Sequence, residues 1–122
     1  MLTLYGIKNC DTVKRARQAL QAAAIDYHFH AFKADGLSPA LAQQWLDQLG
    51  ADIVINRRGT TWRKLSPAQQ AAAESAACAE LLAAAPSLIK RPLIDAAGEL
   101  RVGFAKREEA ELMDWIRARA GH

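Results

Sequence analysis

The stretch Leu2-Thr3-Leu4-Tyr5-Gly6-Ile7-Lys8-Asn9-Cys10-Asp11-Thr12 runs from a short apolar strand through a polar loop into a helix, and its reading decides the fold. Beyond it, Val13, Ala16, Leu20 and Ala23 recur at helical spacing, with Lys14, Arg15, Arg17, Gln18 and Gln21 on the other side. Ile25, Tyr27, Phe29 and Ala31 then alternate with Asp26, His28, His30 and Phe32, which is the period of a strand. The opening is therefore β-α-β. Two strands joined by a helix imply a parallel pair with a right-handed crossover, and such folds place chemistry in the loop after the first strand.

Downstream signals extend this frame. Residues 33–37 read as a loop, and Ser38-Pro39 starts a helix with Ser as N-cap and Pro in the first turn. Leu41, Trp45 and Leu49 give that helix one apolar stripe, and Gly50 ends it. Ser66-Pro67-Ala68-Gln69 is a capping box, and the alanine-rich residues 71–85 are expected to be helical up to Pro86. Leu93-Ile94-Asp95 and Leu100-Arg101-Val102-Gly103-Phe104 read as strands of a hairpin that turns at Ala96-Ala97-Gly98. A last helix from Lys106 carries Glu108, Glu109 and Glu111 early and Arg117 and Arg119 late, which complements its dipole. The sum is an α/β chain of the thioredoxin-like order, β-α-β then β-β-α, with a mixed sheet, a helical insert at about 38–86, and one domain over 1–122.

Of the 122 residues, 51% are hydrophobic and 24% charged, which is ordinary globular usage. Two cysteines make no disulfide scaffold, and without a leader or a long apolar run the expectation is a soluble chain in a reducing cytoplasm, with no membrane partner and acting as a monomer. The net charge of +3 is clustered: Arg57, Arg58, Arg63 and Lys64 in one segment, Lys90 and Arg91 in another. Such clusters suit small anions better than nucleic acid, which calls for a continuous basic stripe with interleaved aromatics.

Three segments carry candidate chemistry. Cys10 falls at the strand-to-helix turn, where unpaired backbone N–H groups and the positive end of the helix dipole favour the thiolate, the nucleophilic form. Asp11 or Thr12 is expected to cap this helix; Lys8, Lys14 and Arg15 add positive potential, and Asn9 and Thr12 are candidate donors to a bound anion. In Asn56-Arg57-Arg58-Gly59-Thr60-Thr61-Trp62-Arg63-Lys64-Leu65, guanidinium groups beside threonines can surround an oxyanion or carboxylate, with Gly59 allowing a tight turn. In Lys90-Arg91-Pro92, a cis proline before the third strand would turn the backbone toward Cys10 and set Arg91 beside the thiol. Cys78, within the alanine-rich stretch, reads as a packing residue, with a resolving thiol as the alternative. His28 and His30 lack a third ligand nearby, so no metal is expected, and no phosphate loop, zinc spacing or serine nucleophile motif is present.

Leu4-Tyr5-Gly6-Ile7-Lys8-Asn9-Cys10-Asp11-Thr12, Gly59-Thr60-Thr61-Trp62-Arg63-Lys64-Leu65 and Ile89-Lys90-Arg91-Pro92-Leu93, in this order, resemble the arsenate reductase (ArsC) family, and within it the YffB branch. The resemblance implies a thioredoxin-like core with a helical insert. It also implies that Cys10 is the catalytic cysteine, that Arg91 is the arginine before the proline, and that Arg57 or Arg58 is the first anion-binding arginine. Arsenate reductases of the family attack arsenate with one cysteine and use glutathione and glutaredoxin as reductants. They have a histidine where this chain has Gly6, and a further arginine near the position of Phe104. Those departures turn the expectation toward the YffB type: a glutathione-dependent thiol reductase without a bound cofactor, in which Cys10 forms a mixed disulfide that glutathione resolves. Arg91 and the Arg57/Arg58 pair would then take the carboxylates of glutathione. The family also contains Spx regulators, which bind RNA polymerase and commonly sense redox state through a Cys-x-x-Cys pair. Here the second position of that pair is Val13, which leaves only an adaptor without a sensing disulfide.

Overall fold

The computed structural model of the chain describes residues 2–120, which form two compact units: residues through Ala34 with those from Arg91 onward, and Asp35–Lys90. In the first unit, β1 (Leu2–Gly6) leads through the Cys10 loop into α1 (Asp11–Ala22), followed by β2 (His28–Ala31) and a single helical turn, α2 (Phe32–Asp35). After the second unit the chain returns as β3 (Leu93–Ala96) and β4 (Glu99–Val102). The sheet order is β2-β1-β3-β4, parallel between β1 and β2 and antiparallel elsewhere. The mixed sheet and thioredoxin-like order match the sequence reading.

Pairing explains the core. Leu2 opposes Ala96 and Leu4 opposes Ile94, so all four share one face. With Ala16 and Leu20 of α1, Phe104, and Leu112, Met113 and Ile116 of the final helix, they form a buried cluster. Truncating a fully buried leucine such as Leu4 to alanine costs roughly 2–5 kcal/mol. On the alternate positions, Tyr5 opposes His30 and Leu93, and its ring packs 4.9 Å from His30 and 6.2 Å from Phe32. Burial, and secondarily Asp95, raise the pKa of the Tyr5 hydroxyl.

Several boundaries differ from the sequence reading for identifiable reasons. β2 begins at His28 rather than Ile25, because the exit from α1 claims the preceding residues. Ala24 turns at φ 56° and Ile25 N–H donates to the Leu20 carbonyl at 2.9 Å, closing the helix end. The hairpin turns on Ala97-Gly98 alone, both at positive φ (55° and 92°), with the Gly98 N–H donating to Asp95 Oδ1. β4 stops at Val102, since Gly103 turns at φ 88° and donates its N–H to the Pro92 carbonyl, and Phe104 leaves the sheet to enter the core. One 3-10 turn, Lys106–Glu108, precedes the last helix, which spans Glu109–Ala120. Residues 33–35, read as loop, are helical.

The second unit is helical. Its elements in order are α3 (Pro39–Leu49), α4 (Ala51–Val54), α5 (Thr60–Arg63), α6 (Pro67–Ala72), α7 (Cys78–Ala84) and the 3-10 turn Pro86–Leu88. The last helix of the chain, Glu109–Ala120, is therefore α8. Ser38 caps α3, Gly50 ends it at φ 85°, and Ser66 and Gln69 form the reciprocal capping box at α6. The alanine-rich stretch is not one helix. The Ser75 hydroxyl donates to the Ala72 carbonyl and accepts from the Ala77 N–H, a local alternative to helical bonding that separates α6 from α7. Trp45, Val54, Ile55, Leu82, Leu88 and Ile89 are buried, and an isolated bridge pairs Ile55 with Ile89. Among the described residues no helix is long and apolar enough to cross a membrane.

Candidate functional site

β1 delivers the loop 7–10 from its carboxyl end. Cys10 is the N-cap of α1, with extended backbone (φ −113°, ψ 123°), and its carbonyl accepts from the Lys14 N–H at 2.9 Å. This corrects the expectation that Asp11 or Thr12 would cap the helix: both lie inside its first turn, and the Cys10 side chain makes no capping bond to it. A helix start without a side-chain cap leaves its amides to whatever the sulfur carries. Cys10 is half-buried, Lys8 and Asn9 are exposed, Thr12 is half-buried and Lys14 is exposed. Arg15 is committed elsewhere. Its Nη2 donates to the Phe104 carbonyl at 2.8 Å and meets Glu109 at 3.4 Å, with the guanidinium 5.5 Å from the Phe104 ring centroid.

The register places Arg91-Pro92 at the same end of the sheet, because Leu93, the next residue, opposes Tyr5, the residue before Gly6. The Arg91–Pro92 peptide bond is cis, Pro92 is buried, and Arg91 is half-buried with its Nε withdrawn from solvent. Gly6 and Val13 fit each other closely: a Cβ on Gly6 would lie 2.8 Å from Val13 Cγ2, a fully buried atom group. Position 6 is thus closed to a side chain while Val13 keeps its place, including the histidine that the family resemblance leads one to expect there.

The second basic group belongs to the Asp35–Lys90 unit. Arg57 pairs with Asp52 at 2.5 Å and lies 5.2 Å from the Trp62 ring centroid. Arg58 is exposed; its N–H donates to Asn56 Oδ1, and its carbonyl accepts from Arg63 Nη2 at 2.7 Å. Gly59 has an ordinary φ of −79°, so its role is space rather than conformational freedom: a Cβ there would meet Asn56 Nδ2 at 3.0 Å. Asp52, Ile55, Asn56, Arg57, Arg58 and Lys90 line a cavity of about 260 Å³. Asp52 was invisible as a site residue in the sequence, its only signal being a carboxylate five positions before a basic pair. Cys78 is buried in α7, and burial pushes its thiol pKa up, partly offset by Arg57. His28 is exposed, and the His30 ring packs tilted against Tyr5 and edge-on against Phe32.

Comparison with known proteins identifies the family of the chain. The model of the ArsC family matches residues 5–112. An uncharacterized protein of Haemophilus influenzae is 40% identical over 108 residues, covering 88% of this chain and 95% of its own. The solved structure of the YFFB (PA3664) protein superposes with a TM-score of 0.83 at 42% identity, covering 91% of this chain and 97% of that one. An arsenate reductase (ArsC) related protein from Brucella melitensis gives 0.75 at 39%, covering 92% and 93%. With the family model spanning most of the chain and these relatives nearly their full length, the chain belongs to the ArsC family, in its YffB branch.

Proposed function

We propose that this chain is a glutathione-dependent thiol–disulfide reductase in which Cys10 is the single nucleophile. The observation that carries the reading is the position of Cys10, half-buried at the N-cap of α1 with no side-chain cap on the helix. There the helix dipole and first-turn amides favour negative charge on sulfur, both before attack and when Cys10 departs as a leaving group. Cys10 thiolate attacks the glutathionyl sulfur of a mixed disulfide R–S–S–G, the R–S⁻ thiolate leaves and is protonated, and a Cys10–glutathione disulfide remains. A second glutathione thiolate attacks that disulfide on the glutathione sulfur, giving oxidised glutathione and restoring Cys10. The sum is R–S–S–G plus one glutathione thiol giving R–SH plus oxidised glutathione: the incoming glutathione sulfur is oxidised, the R sulfur is reduced, and the glutathionyl sulfur stays in a disulfide throughout. In this reading Asn9 and Thr12 donate to the bound peptide, Arg91 and the Arg57/Arg58 pair take its carboxylates, and the surroundings are those of a reducing cytoplasm.

Turnover of a glutathionylated peptide, coupled to glutathione reductase, tests this directly. Cys10→Ser is expected to abolish it and Cys78→Ser to retain it; full turnover in Cys10→Ser would refute the mechanism. Arsenate offered in the same assay, with glutathione and glutaredoxin, is the competing substrate suggested by the arsenate reductase names among the relatives, and the closed space at Gly6 favours the disulfide over it.

A further inference from the structure

The Asp35–Lys90 unit holds three cations around one small cavity, and the structure gives them unequal roles. Arg57, Arg58 and Lys90 line it together with Asp52, Ile55 and Asn56. Arg57 faces the Asp52 carboxylate at 2.5 Å with Trp62 against its guanidinium. Asp52 is itself exposed, so the ion pair alone would hold Arg57 weakly; the aromatic ring supplies a second support. Arg58 is fixed at the other end of the residue, through its main chain, by Asn56 and Arg63. Among the described residues no carboxylate pairs with the Arg58 guanidinium or the Lys90 ammonium. With Asp52 offsetting Arg57, two positive charges are left in the cavity.

We propose that Arg58 and Lys90 are the residues that contact a ligand carboxylate in this cavity, and that Arg57 is a positioning residue that shapes its wall. This rests on the glutathione reading and deepens it, by choosing between two adjacent arginines and adding Lys90. A volume of about 260 Å³ is below the roughly 300–1,000 Å³ of ordinary small-molecule pockets, so the cavity takes one end of a peptide. A planar guanidinium with a pinned backbone gives a carboxylate two parallel donors, and the ammonium of Lys90 adds a charge that needs no fixed orientation. Asn56 contributes to the same wall through the bond that orients Arg58.

The test follows the arginine Nε–Hε resonances of the full chain during titration with S-methylglutathione, a peptide that cannot exchange disulfides, and separately with sodium sulfate. Saturable shifts of Arg58 with the peptide are expected. Arg58→Ala should weaken its binding about tenfold or more, the usual scale for a lost charge-assisted contact, and Lys90→Ala a few-fold. Arg57→Gln should weaken binding less, with Arg57→Lys restoring it, because lysine keeps a cation against the Asp52 carboxylate, which would otherwise repel the anion. Asp52→Asn is the decisive variant: it unmasks Arg57, so anion affinity should rise. Loss of affinity in Asp52→Asn, or shifts centred on Arg57 rather than Arg58 with either anion, would overturn the assignment. If sulfate shifts Arg58 while the peptide shifts neither arginine, the glutathione reading fails and the anion assignment to Arg58 stands.

Discussion

Gly6→Ala places a methyl group where β1 and α1 touch. The added Cβ would sit 2.8 Å from Val13 Cγ2, about 0.6 Å inside the 3.4 Å at which ordinary contacts begin. Val13 is fully buried, so its side chain has no open space to enter, and the strand or the helix must yield instead. Overpacking of this kind costs typically 1–3 kcal/mol, and the lower unfolded-state entropy of alanine returns about 0.4–1, leaving a net loss of about 1–2 kcal/mol. Val13→Ala alone removes two methyl groups and should cost about 2 kcal/mol. The double variant removes the clash and lets the new methyl occupy part of the vacated space. It should therefore be no less stable than Val13→Ala, a departure from additivity of about 1.5 kcal/mol. Urea denaturation of the four proteins measures this, and alkylation of Cys10 with iodoacetamide on the same samples reports whether the loop four residues on has shifted. Equal stability of Gly6→Ala and the parent, or additive losses within about 0.5 kcal/mol, would refute the close packing and with it the reason why this position excludes histidine.

Iodoacetamide should label Cys10 but spare Cys78 in the native chain, with both labelled in denaturant, because burial both hides Cys78 and raises its thiol pKa; peptide mass spectrometry showing equal native labelling would contradict this. The hydrogen bonds from Arg101 hold the Glu111 carboxyl below the usual glutamate range. A group whose folded pKa is depressed adds stability above its unfolded value, near 4.3, and loses it as pH falls through the folded value. Glu111→Gln should thus lower the urea midpoint at pH 7 and cease to matter at strongly acid pH, and a difference that persists there would exclude the linkage. Ala97 adopts φ 55° ahead of Gly98, so Ala97→Asn should stabilise the hairpin by about 0.5–1 kcal/mol; a destabilised variant would mean that the turn is not of the primed type.

The alternation of Leu2, Leu4 and the 3.6-residue spacing of Val13, Ala16 and Leu20 made the β-α-β start and the position of Cys10 legible, since local periodicity and burial agree there. Ser38, Gly50 and Ser66 were equally readable, because each acts on its own neighbouring backbone. What the sequence hid is decided by partners distant in the chain or by competition between equivalent local bonds. The commitment of Arg15 to the Phe104 carbonyl involves residues 89 positions apart, whereas its place in the first turn after Cys10 made it read as a cation beside the sulfur. Ser75 broke an alanine run whose propensity favours continuity, through two hydrogen bonds that any serine there was free not to make. At Arg57 and Arg58, two identical side chains became distinguishable only when Asp52 and Trp62 took up one of them.

The three tryptophans are divided between the two units, and each has a different electrostatic setting. The guanidinium groups of Arg101 and Arg119 lie 5.5 and 4.8 Å from the Trp115 ring centroid, and these arginines hold Glu111 and Glu99 in turn. Trp45 is buried within the helical unit, while Trp62 carries the Arg57 guanidinium over its ring. Nearby cations alter indole emission, so the chain contains its own optical labels: single-tryptophan variants would report the melting of each unit separately, and the Trp62 signal would read the state of Arg57 without any added dye.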